Sequence, residues 1–143
     1  MGGKNEIGDK GLEALSGALA TGALASVTEL RLDSNLIGDV GMQSFSTALV
    51  SGALTSCTTL NLAENQIGDA GMEAFSGALA KGALASVTFL ALDGNRIGDD
   101  GLTSLSSALA TGALPALKIL SVGGNPASEA AKQAAQDAIK NRK

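Results

Sequence analysis

The chain has 143 residues and a net charge of −4, with 45% hydrophobic and 17% charged residues. This balance predicts one soluble globular domain with a continuous core, and it excludes a disordered chain. No apolar run approaches the ~20 residues needed to cross a bilayer, so we expect no membrane partner.

The residue types that are absent exclude much of enzyme chemistry. The chain has no His, and its only Cys is Cys57. It therefore lacks the usual general base at neutral pH and the commonest zinc ligand, and it cannot form an internal disulfide. We expect a non-enzymatic protein without cofactors. Because the first residues contain no apolar segment typical of a signal peptide, we also expect an intracellular, cytoplasmic location.

The charges are distributed unevenly along the chain. Residues 1–126 carry twelve acidic and six basic side chains, whereas residues 127–143 carry two acidic and four basic ones. A negative body repels nucleic acid, and the basic tail is too small to reverse the balance. We therefore expect no nucleic-acid partner.

The sequence repeats with a period of 30 residues. The pattern L-x-L-x-x-N-x-I-G-D-x-G occurs at residues 30–41, 60–71 and 90–101. The asparagine column consists of Asn5, Asn35, Asn65, Asn95 and Asn125. Each copy must solve the same packing problem, so columns that do not change predict the core.

The first predicted element is a helix over residues 9–21, and the first strand follows at about residues 28–32. Apolar residues alternate with variable ones in this strand and in its three copies, as in a half-buried strand. The two inward columns are Leu30, Leu60, Leu90, Leu120 and Leu32, Leu62, Leu92, Val122. Cys57 falls in a third apolar column, which favours a core residue over a reactive thiol. No strand precedes the first helix, so the first strand should be an open edge that could pair in a homodimer.

Each strand leads through a turn into a helix. The asparagine amides are expected to hydrogen-bond the loop backbone of the neighbouring repeat as a ladder. A column of aspartates is predicted to N-cap the helices that the same residues begin: Asp9, Asp39, Asp69 and Asp99. A column of glycines follows the helices, where the left-handed conformation favours Gly: Gly22, Gly52, Gly82 and Gly112. The leucine two residues after each glycine should pack beneath the helix.

The end of the chain departs from the repeat. We predict a helix over residues 128–141, which belongs to a capping segment that comprises residues 127–143. Its apolar side is expected to comprise Ala130, Ala131, Ala134, Ala135, Ala138 and Ile139. The side chains expected to face water are Lys132, Gln133, Gln136, Asp137 and Lys140. The end of a solenoid needs such a polar outer face.

This unit of strand, turn and amphipathic helix resembles leucine-rich repeats of the ribonuclease-inhibitor type, from Asn5 to Asn125. The resemblance implies an α/β leucine-rich repeat solenoid, a short right-handed horseshoe arc with a parallel sheet on the concave face and helices on the convex face. We expect a single domain in which residues 1–126 form four to five repeats, the first lacking its strand. In such proteins the concave face and its rim are the usual binding surface.

Positions that vary beside fixed neighbours are the candidate binding residues. On the concave face these are Glu29, Thr59, Phe89 and Ile119 in one column, Arg31, Asn61, Ala91 and Ser121 in the next, and Asp33 and Asp93 beyond. Phe89 and Ile119 should be neighbours at the ~4.8 Å strand spacing. They would form an apolar spot beside a polar, charged half.

Other motifs are better explained by packing. Residues 93–100 begin like a calcium loop, but Ile97 stands where an oxygen ligand is needed. The Gly-Asp-x-Gly turns lack the Lys-Ser/Thr of a phosphate loop. Ser16, Ser46, Ser76 and Ser106 recur too regularly for nucleophiles and should be small residues where helices pack together. We therefore expect neither a metal nor a catalytic site.

The sequence favours a non-catalytic protein–protein interaction module that binds an unidentified protein through the concave sheet and its rim. One alternative is a truncated or engineered, consensus-like repeat scaffold with a structural or self-assembly role, because the copies are nearly alike. The resemblance implies another, an activator of a partner enzyme such as a small GTPase, although no motif beyond the repeat itself supports it.

Overall fold

The structure, a computed structural model, describes residues 7–22 and 24–141. Helices and strands alternate along this part of the chain. The helices are α1 (Gly8–Ala20), α2 (Asp39–Val50), α3 (Asp69–Ala80), α4 (Asp99–Ala110) and α5 (Glu129–Lys140). The strands are β1 (Glu29–Arg31), β2 (Thr59–Asn61), β3 (Phe89–Ala91) and β4 (Ile119–Ser121). Asn5, Arg142 and Lys143, which the sequence analysis assigned to the asparagine column and the basic tail, lie outside the described residues.

The four strands form one parallel sheet in the order β1-β2-β3-β4. The register is one full repeat, so that Leu30 lies beside Leu60 and Leu60 beside Leu90. The helices pack in the same order, each against the next. The predicted α/β solenoid, with its sheet on the concave face and its helices on the convex face, is therefore confirmed.

The core lies between the sheet and the helices. The middle leucine of each strand is buried, as are the helix residues Met42, Phe45, Met72 and Phe75. Cys57 is fully buried within this core, and its Sγ lies 3.2 Å from the Thr59 carbonyl oxygen. Desolvation raises the pKa of this thiol above its usual value, so the core interpretation of Cys57 is confirmed.

The asparagine ladder is confirmed as well. The Oδ1 atom of Asn65 accepts hydrogen bonds from the N–H groups of Asn35 and Ile37, each at 2.9 Å. Its amide nitrogen donates to the carbonyl oxygens of Leu32, at 2.9 Å, and Leu62, at 3.0 Å. Each asparagine thus joins its own repeat to the preceding one, at the point where strand pairing stops.

The prediction that each aspartate caps its own helix is wrong. Asp39 is the first residue of α2, and its Oδ1 accepts from Gly68 N–H at 2.7 Å and Gly71 N–H at 2.9 Å, in the first turn of α3. Asp9 and Asp69 serve α2 and α4 in the same way. A Cβ at Gly71 would lie 2.6 Å from Asp39 Oδ1. The second glycine of the turn therefore makes room for the carboxylate of the preceding repeat.

The helix ends follow the prediction at the glycine but contain one feature that it missed. Gly82, with φ of 97°, donates to Leu79 O, and Ala83 N–H donates to Ala78 O, which together form a Schellman motif. Leu84 then also adopts a positive φ, of 57°. Leu24, Leu54 and Leu114 do the same. For a non-glycine residue this costs ~1–2 kcal/mol, which burial of a leucine side chain, ~1.5–3 kcal/mol, offsets.

The last helix packs against α4 with a narrower apolar side than expected. Ala135 is buried and Ala131 half-buried, but Ala130 and Ala134 are exposed. The prediction that Gln136 faces water is wrong, because its Nε2 donates to the Leu120 carbonyl oxygen of β4 at 2.8 Å. Among the described residues no further strand pairs with β4, and a side chain satisfies the carbonyl instead.

Candidate protein-binding site

The side chains of the first and third residues of each strand point to the concave face, because the leucine between them points to the core. The first column runs in register through Glu29, Thr59, Phe89 and Ile119, and the second through Arg31, Asn61, Ala91 and Ser121. The structure therefore aligns these eight candidate residues on one surface, in the order that the sequence predicts.

An apolar pair lies at the β3–β4 side of this face. Phe89 and Ile119 are direct neighbours in the register of the two strands. Ile119 is 57% exposed and Phe89 is half-buried. Neighbouring β-branched and aromatic side chains that remain partly accessible lose water favourably when a partner covers them. This pair is the principal apolar contact that the concave face offers.

A charged region lies at the β1 side. Arg31 and Asp33 form an ion pair, with 3.6 Å between Nε and Oδ1, and Glu29 is exposed nearby in the same strand. Arg31 is the more exposed partner, at 52% against 21% for Asp33, and ion pairs at a protein surface contribute only ~0–1 kcal/mol to stability. These charges are consequently available to attract or reject a partner at little cost to the fold.

The remaining candidate residues are held more firmly. Ser121 Oγ donates to Asp93 Oδ2 at 2.6 Å, and Asn61 Oδ1 accepts from the N–H of Ala63 at 3.0 Å. Ala91 is only 4% exposed, so its inclusion among the binding residues has little support from the geometry. Its methyl group lies between the longer side chains of Asn61 and Ser121. The repeat pattern predicts which face a residue lies on, but it does not predict how far longer neighbours cover a short side chain.

One exposed apolar residue at the rim was not among the candidates. Leu36 follows the asparagine of its turn with a φ of 61° and is 52% exposed, whereas Val40, which is 55% exposed, lies in the convex helix α2. A signal for Leu36 was present in the sequence, because its position varies between a fixed asparagine and a fixed isoleucine. The equivalent residues are Gln66 and Arg96.

Two serines of the helix column have partners within their own helices. Ser16 and Ser46 are buried and donate to carbonyl oxygens one helical turn earlier, at 2.7 and 2.6 Å. Within residues 7–22 and 24–141, no three His, Cys, Asp or Glu side chains lie close enough to hold a metal ion. No helix in these ranges is both long and apolar enough to span a membrane.

Comparison with known proteins agrees with this architecture. The family model described as "Leucine Rich repeat" matches residues 3–16, 23–46, 54–76 and 83–106, more than half of the chain. The chain belongs to the leucine-rich repeat family. Among solved structures, this leucine-rich repeat protein is similar to actin-binding site 2 of leiomodin-1, with a TM-score of 0.71 and 18% identity. The alignment covers 92% of this chain and 72% of the leiomodin-1 chain. A comparison with curated proteins found no match.

Proposed function

We propose that this leucine-rich repeat protein is a non-catalytic module that binds a protein partner through the concave face of its sheet. The observation that carries the proposal is the neighbouring pair of half-buried Phe89 and exposed Ile119, set among polar residues on a surface where packing does not dictate side-chain identity. A few well-packed residues, aromatic ones prominent among them, supply most of the binding energy of an interface.

The charged half of the face supplies selectivity in this proposal. Glu29, Arg31 and Asp33 lie two strands away from the apolar pair, across β2. Charges at the border of an interface change association rates and reject unsuitable partners more than they add affinity. We therefore expect a partner with an apolar protrusion next to a region of mixed charge.

Four strands span only ~20 Å, so the concave face alone would form a small interface. The rim residue Leu36, in the segment between β1 and α2, adds a separate exposed apolar side chain. The fold shared with actin-binding site 2 of leiomodin-1 makes actin a reasonable first purified probe. At 18% identity the likeness is one of fold, and the partner must be found by experiment.

The test compares two variants that add the same charge at equally exposed apolar positions. Ile119→Asp alters the concave face, and Val40→Asp alters the convex helix α2, where the equivalent residue of α4 is already Asp100. Wild type and both variants are immobilised, and captured proteins are compared by quantitative mass spectrometry, with actin tested separately by co-sedimentation.

We expect at least one captured protein to bind wild type and Val40→Asp equally, and to bind Ile119→Asp at least tenfold less. Equal capture by all three would show that binding does not use the concave face. Failure of wild type to enrich any protein over the bare matrix would favour the alternative of a structural repeat scaffold.

A further inference from the structure

The flank formed by α1 and β1 leaves apolar side chains incompletely covered. Ile7, Leu15, Leu24 and Val27 are only partly buried against the core. Their equivalents one repeat later, Ile37, Phe45, Leu54 and Cys57, are at most 1% exposed. The same positions are thus closed inside the stack and open at this flank.

The backbone of β1 is also open on this side. In the described residues β1 pairs with β2 alone. Thr59 N–H donates to Thr28 O at 3.1 Å, and Leu32 N–H donates to Asn61 O at 2.8 Å. Because backbone groups alternate along a strand, Leu30 faces β2, and the N–H and C=O groups of Glu29 and Arg31 face away from it.

We propose that this flank binds a second copy of the chain, with the two β1 strands antiparallel about a two-fold axis at Leu30. In this register Glu29 lies opposite Arg31 of the second copy, and the reverse pair is identical by symmetry. Each pair exchanges two N–H···O bonds and brings opposite charges together. The two α1 helices then approach each other and cover Leu15 and its apolar neighbours.

The charges select this arrangement over others. If the β1 strands of the two copies paired in parallel and in the same register, Glu29 would lie beside Glu29 and Arg31 beside Arg31, which is unfavourable. The opposite flank is already covered by α5, which packs against α4 and buries Ala135, and the Leu120 carbonyl at that edge accepts from Gln136. Head-to-tail stacking is therefore blocked, and the pairing closes as a dimer rather than extending into a fibre.

Charge reversal and exchange test the pairing directly. Light scattering with refractive-index detection suits a chain without Trp or Tyr, and we expect the mass to rise with concentration towards twice 14.1 kDa. Glu29→Arg places like charges opposite each other in both pairs and should raise the dissociation constant about tenfold. Adding Arg31→Glu to that variant restores opposite charges and should restore the dimer.

Cysteine pairs test the register independently of charge. In the proposed dimer, positions 29 and 31 of different copies face each other at a Cα separation of ~5.5 Å, which a disulfide can bridge. Position 29 lies roughly 8 Å from position 29 of the second copy, which is too far. A mixture of Glu29→Cys and Arg31→Cys chains should therefore cross-link, and neither variant alone should.

Three outcomes would overturn the proposal: a wild-type chain that stays monomeric at millimolar concentration, a dimer that Glu29→Arg does not weaken, and a weakened dimer that the charge exchange does not restore. Circular dichroism confirms that each variant is folded. Ile119→Asp, which disables the concave face at β4, should leave dimerisation unchanged. The two proposals can therefore fail separately.

Discussion

The two flanks of the solenoid differ in how they satisfy the same requirements. At the β4 flank, α5 packs against α4, Gln136 donates to the outward carbonyl of Leu120, and Asp99 accepts from Ser128 N–H at 2.6 Å. At the β1 flank, no side chain of the described residues caps α1, and Ile7, Leu15, Leu24 and Val27 remain only partly buried. The same repeat motif is thus buried and hydrogen-bonded to different extents, depending on whether another element covers that end of the stack.

The difference shows where the stability of this chain resides. Ile7 and Ile37 occupy the same position of the repeat, yet only Ile37 is fully buried. The preceding repeat covers this position with its helix α1, and its Asp9 accepts hydrogen bonds from Gly38 and Gly41. Stability in such stacks is approximately the sum of each repeat's own stability and the interfaces between neighbours. The same substitution at equivalent positions of two repeats should consequently lower the free energy of unfolding by different amounts.

We expect the largest difference in unfolding free energy when leucine is replaced by alanine at two positions of the same repeat column. Leu105→Ala removes a fully buried side chain from α4, between α3 and α5, and should lower the free energy of unfolding by about 3 kcal/mol. Leu15→Ala removes a half-buried side chain from α1 and should cost about 1 kcal/mol. Urea unfolding followed by circular dichroism measures both.

Measuring both variants at low and at high protein concentration tests whether a second copy covers α1. At low concentration the difference of about 2 kcal/mol should hold, because the chain is then monomeric. At high concentration the effect of Leu15→Ala should increase if a second copy covers α1, since the deletion would weaken the dimer as well. Equal costs for the two deletions at every concentration would contradict the unequal burial of the two flanks.

The sequence predicted the fold well because unchanged columns at a fixed period specify both which residues are buried and how strands align. Its errors have physical causes. The sequence motif is equally consistent with an aspartate that caps its own helix and one that caps the helix of the next repeat. The structure decides between them, because Asp39 Oδ1 accepts from the N–H of Gly68, 29 residues later in the chain. The left-handed Leu84 could not be predicted, because its strain is offset by burial against residues distant in sequence. The limited exposure of Ala91 depended similarly on its neighbours.

A smaller difference is expected between two aspartates that differ in what they cap. Asp39 accepts from two N–H groups of α3, whereas Asp99 accepts from the single exposed N–H of Ser128, whose own side chain caps α5. Asp39→Ala should lower the free energy of unfolding by about 2 kcal/mol and Asp99→Ala by about 0.5 kcal/mol. Thermal and urea unfolding give these values.

Hydrogen exchange identifies the helix that Asp39 serves. Asp39→Ala should increase exchange at the amides of Gly68 and Gly71, and Asp39→Asn, which retains an acceptor oxygen, should increase it less. Loss of protection in the first turn of α2 with α3 unchanged would instead support a cap on its own helix.

The smallest predicted effect compares two glutamines of α5. Gln136→Ala removes the bond to the Leu120 carbonyl and should cost about 1 kcal/mol. Gln133→Ala removes an exposed bond to Asp137, one turn away in the same helix, and should cost about 0.3 kcal/mol. The two variants change helix propensity equally, so the difference between their unfolding free energies isolates the bond to the sheet edge.

The Gln136→Ala variant also shows what keeps the β4 flank closed. One unpaired carbonyl is a weak template for another strand, and α5 still covers the apolar residues of this flank, including the buried Ala135. We therefore expect light scattering to show no association beyond that of wild type. If the mass of the variant rises above that of a dimer, the single side-chain bond rather than the packing of α5 blocks extension at this end, and the contrast between the two flanks depends on one hydrogen bond.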